Sequence, residues 1–184
     1  ATPLSIGANA SFVAATGTAV FNGDKGGVDD INILVATTTY YNLTFEPSIW
    51  NLNFILNSGG ASTTVLNVLQ SGGGDKIDTV DGGGGTLTFA GSGTPFLRNN
   101  GTGQFSANGS TVIYSASADT NIATGTYSTL NITGAATKTL LGDTTATSTV
   151  TIPSSGTLAI STYIFTATGA TWTNSGTVTE DTGG

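Results

Sequence analysis

Short segments rich in Thr, Val, Ile, Leu, Phe and Tyr recur along the chain, each bounded by Gly, Asn, Asp or Ser. β-Branched and aromatic residues suit a pleated, half-buried surface, and regularly spaced short strands are typical of all-β folds. No window places apolar residues at helical spacing over three turns. The pattern therefore predicts a sandwich, a barrel or a solenoid. The predicted strands are Ser11–Ala14, Thr18–Phe21, Ile31–Val35, Tyr40–Phe45, Leu52–Leu56, Thr64–Leu69, Thr86–Phe89, Pro95–Leu97, Thr111–Ser115, Tyr127–Ile132, Thr137–Leu141, Ser148–Ile152, Thr157–Ile160, Tyr163–Ala167 and Thr177–Thr179.

Internal repetition favours a right-handed parallel β-helix, a β-solenoid. Gly156-Thr-Leu158 returns as Gly176-Thr-Val178, and a repeat of about 20 residues matches one solenoid coil. The chain is thus expected to form one solenoid domain of roughly nine coils, with two degenerate units at about 10–98 and 99–184. A jelly roll or another β-sandwich, which uses the same residues, is the alternative fold. The solenoid should direct one set of side chains into a shared core: Leu130, Ile132, Val150, Ile152, Leu158 and Ile160.

Composition removes several classes of function. The 184 residues contain no Cys, His or Met, so no thiolate or imidazole is present for nucleophilic catalysis or metal binding. With 4 basic and 11 acidic residues the net charge is −7, which argues against nucleic-acid binding. No apolar stretch approaches the roughly 20 residues that span a bilayer. Arg98, the only arginine, has no acidic neighbour in the sequence, and we expect no enzymatic activity.

Several segments resemble a repeat of large bacterial and archaeal secreted surface proteins. They include Gly85-Thr-Leu-Thr-Phe89, Thr126-Tyr-Ser-Thr-Leu-Asn-Ile-Thr-Gly134 and Thr173-Asn-Ser-Gly-Thr-Val178. These repeats are similar to those of filamentous adhesins and autotransporter passengers, and the resemblance implies right-handed β-helices that form stalks, adhesive rods or fibres. It covers nearly the whole chain, but Glu46-Pro-Ser-Ile-Trp50 and the Gly-rich stretch 71–85 depart from it.

Two acidic, Gly-containing segments are candidate calcium sites, because calcium takes oxygen ligands from Asp and from loop carbonyls. One resembles part of the calcium-binding nonapeptide of β-rolls, although it does not repeat in register. The alternative is that these aspartates are solvated loop residues that keep the rod soluble. The candidate ligands are Asp75, Asp78 and Asp81 in one segment and Asp24, Asp29 and Asp30 in the other.

Other surface features have both a binding and a structural interpretation. Asn100 and Asn108 are candidate glycosylation sites in Gly-rich segments, while Asn42 and Asn131 precede repeat strands and suggest a ladder or corner role. Trp50 and Trp172 could belong to a carbohydrate-binding platform, but core packing or capping of the solenoid end is the favoured interpretation.

Thr-x-Thr motifs, such as Thr86-Leu-Thr88 and Thr171-Trp-Thr173, would suit ice binding on a flat face with two rows. Their irregular spacing argues against such a face.

The ends of the chain suggest self-assembly. An exposed sheet edge offers unpaired N–H and C=O groups, and solenoids need a cap to prevent pairing with another chain. Leu4 and Ile6 lie in an uncharged strand-like segment, and Trp172 and Val178 lie near the other end. The sequence therefore predicts an extracellular, cell-surface module that pairs head-to-tail with copies of itself or with neighbouring repeats. A carbohydrate-binding module or a non-catalytic polysaccharide-binding β-helix is the alternative function.

Overall fold

The computed structural model describes residues 15–21, 31–34, 38–46, 52–56, 60–71, 78–81, 84–98, 104–107, 109–169 and 171–181. The chain is an all-β parallel β-solenoid of about five turns, with no helix among these residues. Every strand pair in the described ranges is parallel, as coil-on-coil stacking requires, whereas a jelly roll is built from antiparallel pairs. The predicted solenoid is therefore confirmed; its right-handed sense stays a prediction.

The strands are short, and most are bounded close to where the sequence predicts them. Strands Asp78–Asp81, Gln104–Ser106, Thr120–Ile122 and Thr171–Asn174 were not predicted, because each is too brief or too polar to stand out. The predicted strand at 11–14 lies outside the described residues. In chain order the strands are β1 Thr18–Phe21, β2 Ile31–Leu34, β3 Thr39–Phe45, β4 Leu52–Ile55, β5 Ser62–Ser71, β6 Asp78–Asp81, β7 Thr86–Phe89, β8 Phe96–Arg98, β9 Gln104–Ser106, β10 Thr111–Tyr114, β11 Thr120–Ile122, β12 Gly125–Ile132, β13 Thr137–Leu140, β14 Thr144–Ile152, β15 Thr157–Ser161, β16 Phe165–Ala167, β17 Thr171–Asn174 and β18 Thr177–Glu180.

Coil length varies along the chain. Thr18 pairs with Asn42, whereas Thr111 pairs with Thr129, so the chain advances further between the paired strands of the earlier coil. The prediction of roughly nine coils of about 20 residues each was therefore wrong, and the solenoid has about five turns. Most of the added residues lie between strands, where the chain tolerates insertions. Register shifts occur inside three strand pairs: β3 with β5, β12 with β14, and β15 with β18.

The core runs along the solenoid axis and is built from alternate residues of each strand. Of the predicted core residues, Leu130, Ile132, Val150, Ile152 and Leu158 are fully buried in one cluster, and Ile160 is partly buried against it. The prediction of a shared core is confirmed. Like residues stack from coil to coil: Leu87 pairs with Val112, Val112 with Leu130, and Leu130 with Val150.

Polar side chains also form a ladder between coils. The Asn42 side-chain amide donates to Thr18 Oγ1 at 3.2 Å, and Asn42 Oδ1 accepts from the Asn67 amide at 2.7 Å. The ladder interpretation of Asn42 is confirmed. Further along the stack the coils approach so closely that a Cβ at Gly91 would overlap the Asn67 carbonyl oxygen.

Candidate functional site

The open end of the core is the first candidate site. The last coil pairs the polar Asn174 with buried Ile152, and it pairs four apolar residues with buried residues of the coil before: Phe165 with Thr144, Ala167 with Ala146, Trp172 with Val150, and Val178 with Leu158. They occupy core-facing positions, but within the described residues no further strand covers them. We call this set the end face: Phe165, Ala167, Trp172 and Val178.

The end face is apolar and aromatic. Trp172 is 37% exposed although it continues a ladder whose preceding members are buried, and Phe165 and Val178 are partly buried against the core. The Phe165 and Trp172 rings meet edge to face with centroids 5.3 Å apart. Apolar side chains also flank the face, with Ile164 65% exposed and Tyr163 39% exposed. The structure thus places two of the four predicted assembly residues, Trp172 and Val178, at the open end.

Among the described strands, backbone hydrogen bonds attach the last coil to one neighbouring coil. In the described ranges β16 and β17 pair with β14, and β18 pairs with β15. The Asp143 carboxylate accepts the Ile164 N–H at 3.0 Å and fixes the turn that enters this coil. Glu180 and Asp181, at the end of β18, are exposed. The far edges of these strands can therefore accept another strand.

The second candidate site is an outer surface on which hydroxyl groups stack in two rows. We call it the hydroxyl face. All of its members are half-buried or exposed, and strand registers join them without a break. The first row is Ser62, Thr86, Thr111, Thr129, Thr149 and Thr171, and the second is Thr64, Thr88, Ile113, Asn131, Thr151 and Thr173.

Two buried tyrosines form a closed hydrogen-bond cycle in the core. The Tyr127 hydroxyl donates to the Ala123 carbonyl at 2.6 Å, and the Ala123 N–H donates to the Tyr114 oxygen at 3.1 Å. Since a phenol has one hydrogen, the 3.0 Å contact between the two hydroxyls has Tyr114 as donor and Tyr127 as acceptor. The cycle satisfies polar groups that would otherwise be costly to bury.

Lys138 is a fully buried cation that the sequence analysis missed. It stacks between Thr120 and Leu158, and its Nζ donates to the carbonyls of Ala116 at 3.0 Å and Ala136 at 3.3 Å. Desolvation lowers the pKa of its ammonium group, and the nearby Asp119 carboxylate partly opposes that shift. The sequence did contain a signal for the burial of Lys138. Residues two apart in a strand share a face, so Lys138 lies on the same face as the apolar Leu140.

Lys138 should make stability depend on pH in the alkaline range. The folded chain releases this proton at a lower pH than the unfolded chain does, so stability should rise as pH increases from the lowered pKa toward 10.5. Burial raises the pKa of Tyr40 to about 12, which acts in the opposite direction above pH 10. Urea unfolding of the wild type and of Lys138→Met across this range isolates the lysine. A wild-type minus variant difference that stays flat or falls would contradict the assignment.

Most of the other predicted site residues lie outside the described structure. Asp24, Asp29, Asp30, Asp75, Asn100, Asn108, Leu4, Ile6 and Trp50 are in this group. Asp78 and Asp81 are the first and last residues of β6, whose backbone pairs with β4 and β9. Among the described residues no group of three or more acidic side chains could hold a metal ion. The calcium and glycosylation sites stay predictions.

No protein-family model matches the chain, and it has no detectable match among curated proteins or solved structures. No helix long and apolar enough to cross a membrane occurs in the described ranges. The end face, the hydroxyl face and the sequence repeats are therefore the features of this chain that point to a function.

Proposed function

We propose that this chain is a structural module of an extracellular surface fibre, stalk or adhesin, which joins copies of itself or neighbouring repeats head-to-tail. The exposed end of the core is the observation that carries the proposal. Trp172 holds a core-facing position in the last coil, yet more than a third of its surface contacts solvent. The resemblance of the repeats to those of secreted surface proteins supports the same role.

The mechanism is backbone pairing combined with apolar burial. An incoming coil would add strands to β16, β17 and β18, and would cover Trp172 as Trp172 itself covers Val150. Each further contact would repeat the same heterologous arrangement, which extends a fibre because it does not close on itself. The stacked coils supply a stiff rod, and no catalytic group is required for this function.

The alternative, a polysaccharide-binding module, has support from the aromatic residues at the same end. Tyr163 and Trp172 are exposed, and aromatic rings stack on sugar rings. The strand register favours assembly. Trp172 continues a ladder that begins at Leu87, and each earlier member of this ladder is buried. A sugar platform would instead present its rings on an outer face.

The test compares a change at the end face with one on the opposite side of the same strand. Trp172→Lys should abolish fibres, since a charged side chain would block the apolar contact, while Thr173→Lys should leave them intact. Deletion of residues 1–8 should also abolish them. Negative-stain electron microscopy and sedimentation velocity report assembly, and circular dichroism checks that β structure persists. A wild-type chain that stays monomeric at high concentration, or retains soluble polysaccharide as a monomer, would overturn the proposal.

A further inference from the structure

We propose that the hydroxyl face binds the surface of crystalline ice. The Thr-x-Thr motifs are irregularly spaced in the sequence, but the fold brings three of them, at 86–88, 149–151 and 171–173, into register on one face. Thr86 and Thr88 lie over Thr111 and Ile113, and Thr149 and Thr151 lie over Thr171 and Thr173. The result is a two-row array that runs through β5, β7, β10, β12, β14 and β17.

The array repeats in two directions. Successive coils are about 4.8 Å apart, and residues two apart in one strand are roughly 6.6 Å apart at the rise of a parallel strand. No register shift interrupts the paired segments that carry the rows; the shift in β12 and β14 precedes Thr129. The rows therefore lie on a part of the sheet whose strand register is continuous.

The groups on this face are available and ordered. No hydrogen bond within the described part of the chain engages the threonine hydroxyls of the two rows. A β-branched side chain has few χ1 rotamers, so each Thr holds its hydroxyl and methyl groups in a restricted orientation. Preorganisation of this kind reduces the entropy lost on binding.

The chemistry of the face selects its ligand. Neither row contains a charged or aromatic residue, so an ion, a charged polymer or a stacked sugar ring finds no specific partner. A single polymer chain repeats in one direction and would use one row. An ice surface repeats in two directions, and its water molecules both donate and accept hydrogen bonds, as threonine hydroxyls do. Each threonine also carries an uncharged methyl group, and the rows hold no charged group that would disrupt ordered water.

Three positions depart from threonine: Ser62 in the first row, which keeps a hydroxyl, and Ile113 and Asn131 in the second row. Ile113 carries no hydroxyl, and the Asn131 Oδ1 is buried without a hydrogen-bond partner in the described structure. The most complete block is therefore at the last two coils, where Thr149, Thr151, Thr171 and Thr173 occupy all four corners. The inference is independent of fibre assembly, because these side chains point away from the core that Val150 and Trp172 continue.

The test measures incorporation of the purified full chain into a slowly growing ice hemisphere, together with thermal hysteresis and crystal shape. The wild type should enter the ice, and Thr149→Lys and Thr151→Lys should each be excluded like a protein without ice affinity. Thr157→Lys is the matched control, because Thr157 is a half-buried outward residue of another sheet, paired with Thr137 and Thr177. It should behave as wild type.

Three results would overturn the inference. They are exclusion of the wild type from ice, equal loss in Thr157→Lys, and adsorption to crystalline cellulose without any effect on ice. Circular dichroism of each variant separates lost binding from lost folding. Because Thr149→Lys and Thr151→Lys do not alter the end face, fibre formation by these variants distinguishes failure of this inference from failure of the assembly proposal.

Discussion

Gly91→Ala should lower the free energy of unfolding by roughly 4 kcal/mol or more, at the upper limit of single substitutions. A Cβ at this buried position would overlap the Asn67 carbonyl oxygen and lie 2.8 Å from its carbonyl carbon. Both are backbone atoms of a neighbouring coil, so the clash cannot be relieved by rotation of a side chain. The coils would have to separate, and the hydrogen bonds between them would lengthen.

Gly60→Ala is the control for this prediction. Gly60 has a φ of +82°, and nothing lies within 4 Å of a Cβ built there. Its substitution should cost about 1–2 kcal/mol through left-handed backbone strain alone. Urea unfolding of both variants measures the difference. Equal costs for the two substitutions would contradict the close approach of Gly91 to the Asn67 backbone.

The all-β class, most of the strands and the core could be predicted because they depend on local alternation. Leu130 and Ile132 are separated by one polar residue, and such a pattern assigns their faces without any knowledge of the partner strand. The strands that were missed, such as Thr120–Ile122, contain little apolar sequence and are held by pairing with neighbouring coils. The sequence of such a short segment does not indicate which strand of a neighbouring coil it pairs with.

The two candidate sites depend on register, which the sequence alone did not supply. Paired strands are separated by unequal lengths of chain, and this variation conceals the regular stacking of Thr86, Thr111 and Thr129. The threonine motifs therefore look irregular along the sequence although several of them stack in register. Lys138 was missed for a different reason: a charged residue is normally exposed, and only the backbone carbonyls of Ala116 and Ala136 make its burial acceptable.

Leu130→Ala should lower the free energy of unfolding by about 2–5 kcal/mol, the range for truncation of a fully buried leucine. Leu130 stacks between Val112 and Val150, so coils on both sides limit collapse of the cavity. Thr129→Ala is the matched control: its side chain belongs to the outer surface, and the change should stay within about 0.5 kcal/mol. Similar losses for the two variants would contradict the register of β12.

The same ladder gives a second comparison, because Trp172 is the rung beyond Val150 and lacks a neighbour on its far side within the described strands. Trp172→Ala removes more atoms than Leu130→Ala, yet it should cost the isolated chain less stability, since part of the indole is already in contact with water. In assembled material Trp172→Ala should cost more stability than Leu130→Ala, because Trp172 would then have coils on both sides. Thermal unfolding of monomers and of fibres measures both cases, and a cost that does not change on assembly would remove Trp172 from the contact between modules.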